Sequence, residues 1–247
     1  ILGISTRRME VLPGGLSILL GLFDILRIKE LKPHPSALRE GVLNELVGRI
    51  IGADIRDQSV EAMSTRMSVD KAQALRVENF AMKLFDQAAE DWGLEESDRT
   101  LLSWAARLHE VGRSIAFSGY HNHGGYILHN ADMAGFSRFD QSRLAVLVKF
   151  HRGKIRFDEM RSLCPSLEKS HHNILLLLRL ATRLHRRRSH KPLPKFVFKV
   201  YGNQVTLCIP TEYHQLRPLS YADLREEQRH LKKLGFDFYL EERDEIR

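Results

Sequence analysis

Leu108-His109-Glu110-Val111-Gly112 decides how this chain is read. It closes a largely apolar run, Leu101 to Leu108, that reads as a buried helix. A histidine followed directly by a carboxylate, on a helix with little else polar, is where a metal-dependent hydrolase sets two adjacent ligands. The same pair also suits hydrogen bonding inside a core. The surrounding chain has to decide between the two.

Working outward, residues 50–190 read as almost wholly helical. Helices are expected over Arg56–Met67, Val69–Trp92, Glu95–His109, Asp140–His151 and Ser170–Arg188, with another near Tyr126–Met133. Ala74, Val77, Phe80, Ala81, Leu84, Phe85 and Ala88 mark a continuous apolar face on the second. The Gly- and His-rich stretch from Ser118 to Gly125 reads as a loop. Upstream, Pro13-Gly14-Gly15 reads as a turn ahead of an apolar helix, Leu16–Leu26. Lys32-Pro33-His34-Pro35 then breaks the pattern, and Ser36 caps a helix from Ala37. Downstream, Pro192 and Pro194 mark a linker. Lys195–Val200 and Gln204–Ile209 form a hairpin about Tyr201-Gly202-Asn203, followed by a helix over Tyr221–Leu234 and a strand over Phe236–Leu240. That is a ββαβ unit.

The 247 residues suffice for one large domain or two small ones. No uninterrupted run of about 18 apolar residues is present, so no transmembrane segment is expected. The opening ILGISTRRMEVLPGG lacks a basic region ahead of an apolar core, so no secretory signal is expected. Cys164 and Cys208 lie far apart and read as reduced thiols, which fits a cytoplasmic location. The net charge of +7 favours a polyanionic partner without choosing one.

The helical stretch resembles HD-superfamily phosphohydrolases, which hold a metal with a histidine on one helix, a His-Asp pair on a second and an aspartate on a late helix. Gln73 stands at the first of these positions, His109-Glu110 at the pair, and Thr182, in Leu180-Ala181-Thr182-Arg183-Leu184-His185, at the last. Gln73 and Thr182 are neutral, weak donors. Glu110 is one methylene too long in a site whose ligand distances tolerate about 0.2 Å. The site reads as degenerate, with no metal held. His121, His123, His129 and His151 are the imidazoles that a relocated site would draw on, whereas His151, Arg152 and Lys154 read as a positive helix end able to dock an anion.

The whole chain resembles the C-terminal half of the exopolyphosphatase/guanosine pentaphosphate phosphohydrolase family. The resemblance rests on Met9–Leu16, Ala37–Leu43, Trp104–Gly112, Ser118–His123, Tyr126–Leu128 and Leu147–Arg152, in shared order and spacing. It implies a mainly α fold with a small α+β part. Residues 1–49 would be the tail of the second actin-like domain, 50–190 an HD-like all-helical domain with a degenerate metal site, and 191–247 the small ββαβ domain. It also implies that hydrolysis belongs to actin-like domains ahead of this chain, with Mg or another divalent cation serving the full-length parent and no cofactor in this chain. No phosphate loop with the required acidic residue and hydroxyl is found here, so no catalytic residue is assigned.

The leading expectation is a region that holds polyphosphate or guanosine pentaphosphate and supports a homodimer. Arg152, Lys154, Arg179, Arg183, Arg186, Arg187 and Arg188 are the candidate polyphosphate-binding residues, with His185, His190 and Lys191 nearby. Those on the late helix could equally solvate its end. The alternative is an independent HD-type metal-dependent phosphohydrolase. A nucleic-acid module is disfavoured, because no RNA-binding signature or zinc-finger spacing appears, and no specific nucleic acid is expected.

Overall fold

A computed structural model describes residues 6–30 and 54–244. The chain divides into two compact units, 1–47 and 48–247. The expected breaker at 32–35 and the helix from Ala37 lie outside the described residues.

In the first unit, α1 (Thr6–Leu26) runs straight through Pro13. The turn expected at Pro13-Gly14-Gly15 does not form: neither glycine takes a positive φ. Both stay in the right-handed region that a helix needs. The stretch Met9–Leu26 has a mean hydropathy of 1.7 and is long and apolar enough to cross a membrane by length and composition. Counting uninterrupted apolar residues missed it, because glycines, Pro13, Glu10 and Asp24 punctuate it. The same properties belong to a helix that packs against protein, so they carry no membrane assignment.

The second unit is mostly helical. Its elements are α2 (Ile55–Arg66), α3 (Lys71–Trp92), α4 (Glu96–Leu108), a 3-10 turn (Val111–Ser114), α5 (Tyr120–Asn130), α6 (Arg138–Phe150), α7 (Phe157–Leu163) and α8 (Lys169–Leu184). Local chemistry sets several starts. The Asp54 carboxylate accepts from the Arg56 amide, Asp70 from the Gln73 amide and Ser137 from the Asp140 amide. Gly93, at φ +59, ends α3 in the left-handed conformation that favours glycine. Helix α8 is buried from Asn173 to Ala181 without a break, as a helix apolar on every side must be, and forms the central pillar.

Two expectations about these helices are corrected. The glycine- and histidine-rich stretch is the front of α5, not a loop. Gly119, at φ +66, sits at its start, and Gly124 and Gly125 lie inside it. Those two are small so that helices can touch: a Cβ on Gly125 would lie 2.6 Å from that of Lys149, and one on Gly124 2.9 Å from a Val148 methyl. The late helix ends at Leu184, so Arg186, Arg187 and Arg188 leave the helix rather than extending its face.

The sheet has the order β1-β2-β3. Strands β1 (Val197–Tyr201) and β2 (Gln204–Pro210) pair antiparallel around Gly202 (φ +58) and Asn203. A two-residue hairpin loop favours a glycine at that first position. Two helices, α9 (Thr211–Leu216) and α10 (Pro218–Lys233), then carry the chain to β3 (Asp237–Arg243), which pairs parallel to β2. The unit is ββααβ, one short helix more than expected.

Packing does not break at 190/191, the expected start of a separate domain. The sheet and the helices share one core. Phe80 meets Phe196, and Trp92 meets Phe198 and Phe236, at 5.6–6.0 Å between ring centres. The Phe198 amide donates to Gln87 on α3 at 2.8 Å, and the Trp92 indole donates to the Gly202 carbonyl at 3.0 Å. A sheet this small buries its apolar face only against another element.

Candidate functional site

Helices α3 and α8 and the end of α4 carry the four expected metal positions, and each side chain there is already engaged within the protein. Gln73, buried at the first turn of α3, donates to the His185 carbonyl at 2.8 Å and accepts from Arg76 at 2.9 Å. Thr182 donates its hydroxyl proton to the Arg179 carbonyl at 2.9 Å, with the His151 carbonyl at 3.4 Å. The Glu110 carboxylate is gripped on both oxygens by Arg188 and accepts from Arg113 at 3.0 Å. Burial pushes the Glu110 carboxyl up, but His109, Arg188 and Arg113 together outweigh it and hold it below the usual carboxylate range. Arg188 reaches on to Asp70 at 2.6 Å from a left-handed backbone, φ +53. Its guanidinium supplies the positive charge that a buried carboxylate requires.

His109 is nearly water-free. Its Nδ1 donates to the Ala106 carbonyl at 2.7 Å, as Nδ1 of His151 does to Val148 at 2.6 Å. The two rings meet edge to face at 5.5 Å, and His121 lies 6.4 Å from His151. Burial lowers the pKa of all three, His121 to about 4. They are neutral imidazoles near neutral pH. Among the described residues no three His, Cys, Asp or Glu side chains group to hold a metal ion. The donors present do not fit a divalent cation: the amide and hydroxyl are weak and already bonded, and the one carboxylate faces an arginine.

The candidate polyanion-binding residues scatter. Arg179 is fully buried and binds Glu227 and the carbonyls of Phe150 and Gly153, so its expected place on a phosphate-binding surface is corrected. Its partner Glu227, on α10, lies 48 residues away in sequence. Arg183 shares that carboxylate at 2.9 Å, and Arg188 is spent on Glu110 and Asp70. His151 drops out of the positive helix end, being buried and neutral. Arg152 lies over the Tyr120 ring at 4.8 Å, while Lys154 is exposed beside a cavity of about 120 Å³ with Lys149 and Arg156, both paired with Glu159. Arg186 and Arg187 line a cavity of about 560 Å³ with Arg217, but Asp223 and Glu226 line it too, and Asp223 holds Arg186 at 2.8 Å.

A basic site lies between α3 and residues 190–196, and of its basic residues the sequence reading had named His185, His190 and Lys191 but not Arg76, Lys83 or Lys195. Arg76, Lys83, His185, His190, Lys191 and Lys195 line a groove of about 520 Å³ that no carboxylate borders among the described residues. Arg76 and Lys83 stand seven apart, two turns along one helix face, which was the only local signal for the α3 wall.

Buried neutral histidines give a pH dependence. Burial, then Arg143, lowers His171 from 6.5 to about 3. Arg143 donates to the ring and to Asp98, an arrangement that needs an uncharged imidazole. With folded pKa values below the unfolded one, the unfolded chain takes up protons first as pH falls. Stability is therefore full above about pH 6.5 and declines down to about pH 3. The thermal midpoint should be lower at about pH 5 than at about pH 7.5, and His171→Gln should shrink that difference. An equal drop in the variant would remove His171 as a source.

The family described as Ppx/GppA phosphatase, domain III, matches residues 55–228. The chain is 33% identical over 243 residues to a guanosine-5'-triphosphate,3'-diphosphate pyrophosphatase of Photobacterium profundum, covering 97% of this chain and 48% of that protein. It is 32% identical over 235 residues to the protein of the same name from Pseudoalteromonas translucida, covering 95% and 47%. The chain spans about half the length of the curated relatives it matches. A match running from α2 to α10, through every helix that frames the buried histidines and the Glu110–Arg188 pair, places this chain in the Ppx/GppA phosphatase family.

Proposed function

We propose that this chain is the C-terminal region of a phosphohydrolase that acts on guanosine pentaphosphate or polyphosphate. In this reading its helices are an HD-like domain that has lost its metal, its role is to hold the polyanionic substrate and support a homodimer, and the protein works in the cytoplasm. Hydrolysis, with Mg or another divalent cation, is carried by actin-like domains ahead of this chain. The relatives' name and the half-length match support the parent activity. The observation that carries the division of labour is the arginine-filled position beside His109. With Arg188 and Arg113 on the Glu110 carboxylate, that carboxylate is not free to hold a metal or to take a proton from a substrate water.

Phosphate release from guanosine pentaphosphate and from polyphosphate tests this, comparing the 247-residue chain with a full-length protein that contains it. The expected result is turnover by the full-length protein alone, kept at an ordinary rate in its His109→Ala variant. Turnover by the isolated chain, abolished by His109→Ala, would overturn the proposal in favour of an independent metal-dependent phosphohydrolase.

A further inference from the structure

We propose that the groove between α3 and residues 190–196 is a binding site for condensed phosphate, a chain of pyrophosphate-linked anions, and that it is where this region holds its polyanion. This rests on the polyanion-holding role proposed above and names its location.

The charge around the groove is of one sign. Arg76 and Lys83 project from α3, and Lys191 and Lys195 from the segment opposite, with His185 and His190 between them. No ion pair joins Lys83, Lys191 or Lys195 to a carboxylate among the described residues, unlike Arg179, Arg183, Arg186 and Arg188. A cation already facing a carboxylate gains little from a phosphate, whereas lysines crowded without counterions repel one another and are relieved by an anion. The volume of about 520 Å³ lies within the range of small-molecule sites.

The walls are fixed, which gives the site a shape as well as a charge. Gln73 ties the His185 carbonyl to α3 at 2.8 Å, and the same glutamine holds Arg76 by both Nε and a terminal nitrogen. Nδ1 of His185 donates to the Ala181 carbonyl at 3.1 Å, which fixes the ring, and burial lowers its pKa, so the groove's charge comes from Arg76 and the lysines. Phe80 packs edge-on against both His185 and Phe196, so the floor is apolar and rigid. Pro192 and Pro194 limit the backbone freedom of the opposite wall. Little ordering is left for a ligand to impose. The glutamine at the first degenerate metal position thus has a present use: it holds two of the groove's basic residues in place.

Either an inorganic phosphate chain or the phosphates of a nucleotide could supply this chemistry, and the test separates them. Equilibrium binding of inorganic tripolyphosphate and of guanosine pentaphosphate to the 247-residue chain would be measured across a salt series, with guanosine as a phosphate-free control. The wild type should bind both anions and not guanosine. A tighter pentaphosphate complex would identify a nucleotide as the preferred source, and equal affinities an inorganic chain. The Lys83→Glu/Lys195→Glu variant should lose about tenfold or more in affinity for both, and its salt slope should fall by about 1 per lysine removed. Arg186→Glu/Arg187→Glu, a charge-matched change at the other cavity, should lose less than about threefold. Acetylation of the wild type read by mass spectrometry gives a second readout that needs no variant: tripolyphosphate should protect Lys83, Lys191 and Lys195 more than Lys232 and Lys233.

If the wild type binds neither anion, the polyanion-holding role and this site both fall. If it binds, but the Arg186/Arg187 variant loses affinity while the Lys83/Lys195 variant keeps it and those lysines are unprotected, the groove is wrong and the broader role stands.

Discussion

Glu227→Ala should destabilise the unit of residues 48–247 by about 3–5 kcal/mol, among the largest single-site effects expected in this chain. Glu227 and Arg179 are both fully buried, and the carboxylate serves Arg183 as well. Burial lowers the pKa of the Arg179 guanidinium, and Glu227 opposes that shift. Removing the carboxylate leaves a charge in the core with only the carbonyls of Phe150 and Gly153 for company. The damage comes from the orphaned charge more than from a lost attraction. Arg179→Met/Glu227→Leu should therefore recover much of the stability, since an apolar pair of similar size often matches a buried ion pair. Urea unfolding of the two variants separates these contributions. A loss below about 1 kcal/mol for Glu227→Ala, the range of exposed pairs, would mean that water reaches Arg179.

Gly112→Ala ranks beside it, through shape and not charge. A Cβ at Gly112 would lie 2.0 Å from the Tyr120 carbonyl oxygen and 2.3 Å from the Gly124 amide nitrogen. Both are backbone atoms, so no side chain can turn aside. The 3-10 turn after His109 and the start of α5 would have to separate. Overpacking of this kind costs about 1–3 kcal/mol and sometimes more, and a backbone collision belongs at the upper end. For a unit of this size that is a fall in thermal midpoint of roughly 6–12 °C. An unchanged midpoint would show that the two segments are not held as closely as the structure has them.

That glycine shows how far the sequence could be read. Helix positions followed from apolar spacing, because that signal lies within one or two turns, whereas the caps Asp54, Asp70 and Ser137 were not singled out. The fate of the Ser118–Gly125 stretch did not. Its glycines resemble those of a loop in composition, but they serve a close approach to Gly112, Val148 and Lys149 that only packing defines. That Gln73 and Thr182 are weak donors and Glu110 a long carboxylate was legible. What now occupies Glu110 was not, because Arg188 lies 78 residues away and looked like one more cation in a basic run. Arg179 misled for the same reason: it stands one turn before the basic run that starts at Arg183, while its partner stands on α10. The groove went unseen because its two walls are more than a hundred residues apart in the chain.

Isothermal titration of the 247-residue chain with Mg²⁺, Mn²⁺ and Zn²⁺ tests most directly whether this protein has replaced the cation beside His109 with its own arginine. The expected result is no saturable binding at near-unit stoichiometry, in the wild type or in His109→Ala. Stoichiometric binding by the wild type that disappears in His109→Ala would contradict it.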